Sequence, residues 1–261
     1  MVSWDDVKFY SEMYARRIRY MYPIKNHLES RRNKKILEEN RLKCKNTENP
    51  LVSVLIATYN RPELLTERAV PSVLRQTYQN FELIIVGDHC TNDTEERLKK
   101  FKDERIKFFN LPERGKYPED PHKRWLVAGT APANKAIELS SGEWLAPLDD
   151  DDEFSDDHIE TLLKFATDND YDMVYGKVRM ETEPDKWDEL GSYPLEGSCI
   201  SHMAVLYSSR LKFMKYDLNC WKYIEPVDLK MWRQMKEAGA RIGFIDRIVG
   251  NHYLEKNQEK E

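Results

Sequence analysis

Residues 143–152 read Glu-Trp-Leu-Ala-Pro-Leu-Asp-Asp-Asp-Asp, a short apolar run that ends directly in four adjacent carboxylates. Trp144 to Leu148 is apolar at every position, as expected of a strand buried on both faces of a sheet. Neighbouring carboxylates repel by about 1 kcal/mol per pair at 4 Å in water, and by about 4 kcal/mol at an effective dielectric of 20. A divalent cation relieves that repulsion. Oxygen ligands suit Mg²⁺ or Mn²⁺, which bind through one or two carboxylates and complete their shell with water and phosphate oxygens. The plainer reading is a solvated acidic loop that favours the positive end of the next helix.

The flanking chain alternates strand and helix signals, which makes the body an α/β domain. Leu51 to Ala57 and Phe81 to Val86 are continuous, β-branched apolar runs of strand length. Between them a helix is predicted, with Asn60 as its cap, Pro62 in its first turn, and Leu64, Leu65, Val70, Val73 and Leu74 facing the sheet. A short helix over Thr94–Phe101 and a strand over Arg105–Phe109 follow. Leu111 to Thr130, rich in proline and polar residues and without a clear period, reads as a long loop of the kind that carries function. Pro132 to Ser140 is a predicted helix closed by Gly142. After the aspartates, Asp157 is expected to cap a helix over Ile159–Thr167, with Glu160 completing a capping box. Strands are expected at Met173–Tyr175, Val178–Glu181, Ala204–Tyr207 and Ile242–Ile245, and a helix at Val227–Ala238, ended by Gly239.

With 40% hydrophobic and 33% charged residues, the chain has the composition of a soluble globular protein. No apolar run approaches the roughly 18 residues that a membrane span requires. The opening Met-Val-Ser-Trp-Asp-Asp lacks the basic and then apolar pattern of an export signal. Cys44, Cys90, Cys199 and Cys220 lie too far apart for a short-spaced zinc site and are too few for a disulfide scaffold, so they read as free thiols in a reducing, cytoplasmic setting. Residues 1–49 hold 12 Lys and Arg against 7 Asp and Glu, and the remainder holds 29 against 39. The acidic body disfavours nucleic acid as a partner. Trp4 to Lys43 reads as two helices broken at Pro23, with Phe9, Tyr10, Met13, Tyr14 and Met21 interleaved with Arg16, Arg17 and Arg19. Such an extension serves either as a brace on the main domain or as a basic surface for a peripheral membrane contact or a partner.

Ligands of open α/β sheets bind beyond the carboxyl ends of the strands. Thr58-Tyr59-Asn60, Asp88 and Asp149–Asp152 occupy three such ends. The segments at 52–65 (VSVLIATYNRPELL), 72–88 (SVLRQTYQNFELIIVGD), 134–154 (NKAIELSSGEWLAPLDDDDEF) and 225–235 (EPVDLKMWRQM) resemble the successive motifs of family 2 glycosyltransferases. The resemblance covers roughly residues 51–252. It implies a GT-A fold, a Rossmann-like nucleotide-binding arrangement with a mixed, mostly parallel sheet flanked by helices. The expected organisation is an N-terminal helical extension (1–49), a GT-A domain (50–252) and a polar tail (253–261).

The implied activity is metal-dependent, inverting transfer of a hexosyl-type sugar from a UDP-, dTDP- or GDP-linked donor to a glycan or other acceptor hydroxyl, in glycan or surface polysaccharide synthesis. Thr58, Tyr59, Asp88, Asn134 and Asp149 are implied to bind the donor nucleotide. Asp149, Asp151 and His252 are implied around Mn²⁺ or Mg²⁺, with Asp152 as an additional acid. The acceptor hydroxyl loses a proton as it attacks, so a carboxylate is required across the pocket. Asp228 is the candidate base, with Glu225 as its alternative. The sequence departs from the family pattern at Val227, where a glutamate is usual, and at Ala133, where an arginine commonly helps to hold the diphosphate. Lys123 and Arg124 are the nearest candidates to replace that cation, and His202 is either an acceptor-facing or a structural histidine. Two rival functions remain at this stage: a nucleotidyltransferase, for which Ala57 to Glu63 lacks the glycine-rich phosphate loop, and a catalytically inactive sugar-nucleotide-binding scaffold.

Overall fold

The computed structural model describes residues 23–44, 47–195, 199–222 and 224–254. Strands β1 (Val52–Thr58), β2 (Phe81–Gly87), β3 (Ile106–Asn110) and β4 (Trp144–Asp149) form a parallel array in the order β3-β2-β1-β4. The sheet continues through β8 (Val205–Ser208), β6 (Met173–Glu183), β9 (Ile242–His252) and the short edge strand β5 (Glu153–Phe154), while β7 (Lys186–Leu190) pairs with the distal half of β6. β8 runs antiparallel to both β4 and β6, and β6 runs parallel to β9.

Because side chains alternate across a strand, the apolar runs supply two cores. Val54, Ile56, Leu83, Ile85, Ala146 and Leu148 point to one face, which is covered by α6 (His158–Asp168) and by α2, a continuous helix of segments Pro62–Leu64, Leu65–Ala69 and Val70–Leu74. Leu55, Ile84, Val86 and Leu145 point to the other face, covered by α5 (Thr130–Leu139) and α7 (Val227–Glu237). Trp232 of α7 is the bulkiest fully buried side chain, and burying such a group stabilises by roughly 2–3 kcal/mol. Register then places the site. Thr58 lies opposite Gly87 and Ala57 opposite Asp149, so the carboxyl ends of β1, β2 and β4 are level.

Helix α1 (Pro23–Lys43) braces this frame. Leu37 is buried, Asn40 donates to the Arg210 carbonyl at 2.9 Å, Ser30 donates to the Glu237 carbonyl at 2.8 Å, and Arg41 pairs with buried Asp172. The expected helix before Pro23, with its aromatic and arginine residues, lies outside the described residues. No helix among the described residues is long and apolar enough to cross a membrane. All four cysteines are free thiols.

Several local expectations are revised. Asn60 adopts φ 53° and does not cap α2; its side chain instead accepts from the Thr91 amide at 2.9 Å and ties two strand-end loops together. The capping box at α6 does not form either. Asp157 pairs with Arg247 and Glu160 accepts from Thr77, so both carboxylates are committed elsewhere. The loop 111–130 contains a short helix, α4 (Pro121–Trp125), capped by Asp120 through the Lys123 amide at 2.9 Å. The strand signals at 173–175 and 178–181 belong to one strand, and β9 runs seven residues beyond Ile245 to His252.

Candidate active site

The loop ends of β1, β2 and β4 converge on one cleft. Asp88 is buried after β2, and its amide donates to the Thr58 carbonyl at 2.8 Å. Its Oδ1 accepts from the Gly115 amide at 2.8 Å, and the Arg114 Nε lies 4.0 Å from Oδ2. The Arg114 guanidinium also covers the Tyr59 ring at 3.6 Å. Thr58 Oγ1 and the Tyr117 hydroxyl are buried here without a hydrogen-bond partner of good geometry among the described residues. Burial, together with the Asp88 charge, holds the Tyr117 hydroxyl well above the ordinary tyrosine range. An aromatic face, a buried carboxylate beside the Tyr117 hydroxyl, and the buried Thr58 hydroxyl suit a planar heterocycle that carries both donors and acceptors.

The four aspartates divide into distinct environments. Asp149 ends β4 with its side chain 39% exposed, and its Oδ1 meets His202 Nδ1 at 3.0 Å. The other ring nitrogen, His202 Nε2, meets the Tyr216 hydroxyl at 2.9 Å. Burial opposes charge on His202, but the Asp149 carboxylate overcomes it and lifts the imidazole to about 9. Burial likewise opposes ionisation of Asp149, and the His202 charge and hydrogen bond override it and lower the carboxyl. Asp150 and Asp151 each lie 3.4 Å from Arg61 Nη1, and the Asp151 carbonyl accepts from Arg68. Asp152 is fully buried and accepts from His252 Nδ1 at 2.7 Å and from the Tyr253 amide at 3.0 Å. Burial raises the Asp152 carboxyl, whereas the His252 imidazole, disfavoured by burial, is lifted to about 9 by Asp152. Gly250 allows β5 to approach, since a Cβ there would sit 2.6 Å from the Glu153 carbonyl.

The two candidate bases separate clearly. Glu225 is buried, with its oxygens taken by Arg233 Nε at 2.9 Å and Nη2 at 3.0 Å. Asp228, in the first turn of α7, is partly exposed and engages no side chain among the described residues. Burial raises its carboxyl, the nearby Asp149 charge adds to this, and His202 opposes it. A carboxylate with a raised pKa is the better proton acceptor.

Three other expected residues are placed differently from what the sequence suggested. Asn134 does not face the cleft with a free amide: its Nδ2 donates to the Tyr216 carbonyl and its Oδ1 accepts from the Tyr216 amide, both at 2.9 Å. It therefore fixes the residue whose hydroxyl holds His202. Arg124 is tied to the Pro118 carbonyl at 3.2 Å and to the Glu119 carbonyl at 2.6 Å, and Lys123 lies against Trp221, so neither stands at the aspartates. Among the described residues, the arginines beside the aspartates are Arg61 and Arg68, the second with its guanidinium 3.7 Å from the Tyr253 ring centroid. Sequence reasoning missed both. The only available signal was the position of Arg61 immediately after Tyr59-Asn60.

Among the described residues, no group of three or more His, Cys, Asp or Glu forms a ready-made metal cage. The donor set nevertheless fits a hard divalent ion that keeps most of its shell for water and phosphate. Asp149 Oδ2 and His252 Nε2 have no hydrogen-bond partner among the described residues, and each side chain is 39% exposed. A carboxylate that accepts from one imidazole nitrogen orients the other towards a metal that displaces its proton, and Asp152 stands in that relation to His252.

A mixed, mostly parallel α/β sheet with carboxylates at the ends of β2 and β4 defines the GT-A class of nucleotide-sugar fold. Accordingly, the mannosyltransferase PcManGT of Pyrobaculum calidifontis, solved with GDP-Man and Mn²⁺, superposes with a TM-score of 0.59 at 13% identity, over 95% of this chain and 70% of that one. The profile of Glycosyl transferase family 2 matches residues 53–118 and 128–224, and the chain belongs to that family. Over 218 residues it is 31% identical to the uncharacterized glycosyltransferase MJ1057 of Methanocaldococcus jannaschii, spanning 77% of this chain and 70% of that protein. It is 30% identical over 149 residues to the GalNAc(5)-diNAcBac-PP-undecaprenol β-1,3-glucosyltransferase of Campylobacter jejuni, spanning 56% of this chain but 44% of that enzyme.

Proposed function

We propose that residues 50–252 form a catalytic unit that transfers a sugar from a UDP-, dTDP- or GDP-linked donor to an acceptor hydroxyl with inversion, by single displacement, in glycan or surface polysaccharide synthesis. The observation that carries this reading is the pairing of Asp149 with Asp228. One is a partly exposed carboxylate at a strand end that meets His202 Nδ1 at 3.0 Å, the other is a carboxylate with a raised pKa that hydrogen-bonds no side chain among the described residues, and the charge of each acts on the same His202.

In this reading Tyr59, Thr58 and Asp88 hold the nucleotide base, and Asp149 serves the ribose and, with His252, a Mn²⁺ or Mg²⁺ ion. Asp151 joins them where donor phosphates compete for Arg61. The ion supplies Lewis-acid stabilisation of the leaving diphosphate. Arg61 and Arg68 add positive charge on the same side, in the role that the absent arginine at position 133 plays in relatives. Asp228 accepts the acceptor's hydroxyl proton as the oxygen attacks the anomeric carbon, and His202 steadies the negative charge between the two carboxylates. Glu225 serves as the anchor of Arg233 and not as the base.

The test is a donor panel with Mn²⁺ and mixed glycan acceptors, in wild type and Asp149→Asn. Turnover of one nucleotide sugar, abolished by chelation and reduced by roughly 10²-fold or more in the variant, supports the reading. Failure of every donor to bind or turn over contradicts it.

A further inference from the structure

The segment just before Asp228 and the helix α4 beside it together carry an aromatic and basic surface. The Val227 amide donates to the Leu126 carbonyl at 3.0 Å, so α4 is fastened to the residue just before the candidate base. Trp125, next to Leu126, is 55% exposed, although a tryptophan of this size is ordinarily covered. Trp221 lies on the same small cluster, packed with Tyr117, Ile224 and Val227 around buried Leu126, Val127 and Cys220. The ammonium groups of Lys123 and Lys222 lie 5.7 and 5.5 Å from the Trp221 ring centroid. Both lysines are exposed and neither forms an ion pair among the described residues.

Three neighbouring charged side chains are committed elsewhere. Arg124 is tied to two backbone carbonyls, Asp120 caps α4, and Asp217 pairs with Lys230. Ile224 is held at φ 57°, a conformation that a β-branched residue rarely adopts and that tends to occur at functional loops.

We propose that Trp125, Trp221, Lys123 and Lys222 form an acceptor subsite for a saccharide that bears a phosphate group. This rests on the glycosyltransfer reading above and deepens it by naming the acceptor class. An indole face with an apolar body and a wet rim suits the C–H face of a sugar ring. Two exposed ammonium groups, with no uncommitted arginine fork beside them among the described residues, suit a phosphate as point charges and would not select a planar carboxylate. Continuity through Leu126 and Val227 leads from this surface to Asp228, where the acceptor hydroxyl must be deprotonated.

The experiment uses the full chain with Mn²⁺ and saturating UDP, dTDP and GDP together, which block the donor site. Methyl glucoside, methyl glucoside 6-phosphate and methyl glucuronide are titrated while the indole N–H signals are followed by NMR, with Trp125→Phe and Trp221→Phe providing the assignments. The phosphorylated sugar is expected to bind roughly fivefold more tightly than the neutral one and to shift the Trp125 signal. Lys123→Gln combined with Lys222→Gln should remove that preference. Trp125→Ala should weaken all three probes by roughly tenfold, and Trp125→Phe should restore most of the loss. Equal binding of the three sugars, a preference for the glucuronide, an unmoved Trp125 signal or no binding at all would overturn the proposal. Failure of wild type to bind any of the three nucleotides would remove the donor reading itself, a result distinct from an unselective acceptor surface on a nucleotide-binding protein.

Discussion

Replacing Glu82 by glutamine should remove a defined share of the protein's stability, and that share should shrink as the solution is acidified. Glu82 is buried in β2, where its carboxylate accepts from Ser53 Oγ at 2.6 Å, from the Ser141 amide at 2.7 Å and Oγ at 2.8 Å, and from Lys107 Nζ at 2.6 Å. Ser53 Oγ in turn accepts from the Gly142 amide at 2.8 Å, so this one carboxylate locks β1 to β2 and to the entry of β4. Burial works against its charge, but the Lys107, Ser53 and Ser141 bonds outweigh burial and lower the carboxyl to about 2 from 4.5. A depressed folded-state value means that the stabilisation is complete above pH 4.5 and is lost as pH falls towards 2. Linkage puts it at about 3 kcal/mol at neutral pH and about 1.4 kcal/mol at pH 3. Lys107 is 59% exposed, so its part is screened and the neutral-pH figure is an upper value. Urea unfolding of wild type and Glu82→Gln at pH 7 and pH 3 should therefore show a gap that narrows by roughly 1–2 kcal/mol. A gap that stays constant with pH would refute the reasoning, because the buried carboxylate would then titrate normally.

Three further outcomes follow from the same geometry. His158 is fully buried, stacked 3.6 Å from Phe154, and burial depresses its imidazole to about 4. Wild-type stability should thus begin to fall below pH 6.5, where the unfolded chain gains a proton that the folded one refuses, and His158→Phe should flatten that limb between pH 6.5 and 4 in the same urea titrations. Glu225→Gln breaks a buried pair and should lower stability by about 2–3 kcal/mol, since Arg233 keeps Glu237 as a second partner; thermal melting checks the loss, and transfer activity at permissive temperature should persist. Asn134→Ala removes both bonds to the Tyr216 backbone, for a cost of about 2 kcal/mol in denaturant unfolding, and should lower kcat more than it raises donor KM, because Tyr216 positions His202.

The parts of the fold that sequence revealed are those where physics leaves few choices. β1, β2 and β4 are buried on both faces, so their apolar runs had no other reading, and the placement of the aspartates at the ends of β2 and β4 was legible with them. By contrast, β7 is exposed along Lys186–Leu190 and carries no hydrophobic pattern, and its pairing with β6 gave no local signal. The misread caps at Asn60 and Asp157 show long-range competition: each side chain had a local use, and a partner 31 or 90 residues away took it. The same holds in the cleft. Asp88, Asp149 and Asp228 were found from strand ends and motifs, whereas the contacts of Arg61, Arg114 and Tyr216 depend on loops folding back. For the base, the motif resemblance favoured Asp228 and left Glu225 as the alternative, and the occupation of Glu225 by Arg233 had no signal in the sequence.

The central claim is that Asp228 deprotonates the acceptor in a site whose donor half is independent of it. The most direct test compares sugar transfer and donor binding in Asp228→Asn against wild type, with Glu225→Gln as the second variant. Transfer should fall by roughly 10²–10⁴-fold in Asp228→Asn while nucleotide-sugar affinity is kept, and Glu225→Gln should retain transfer. Undiminished transfer in Asp228→Asn, or loss confined to Glu225→Gln, would contradict the account.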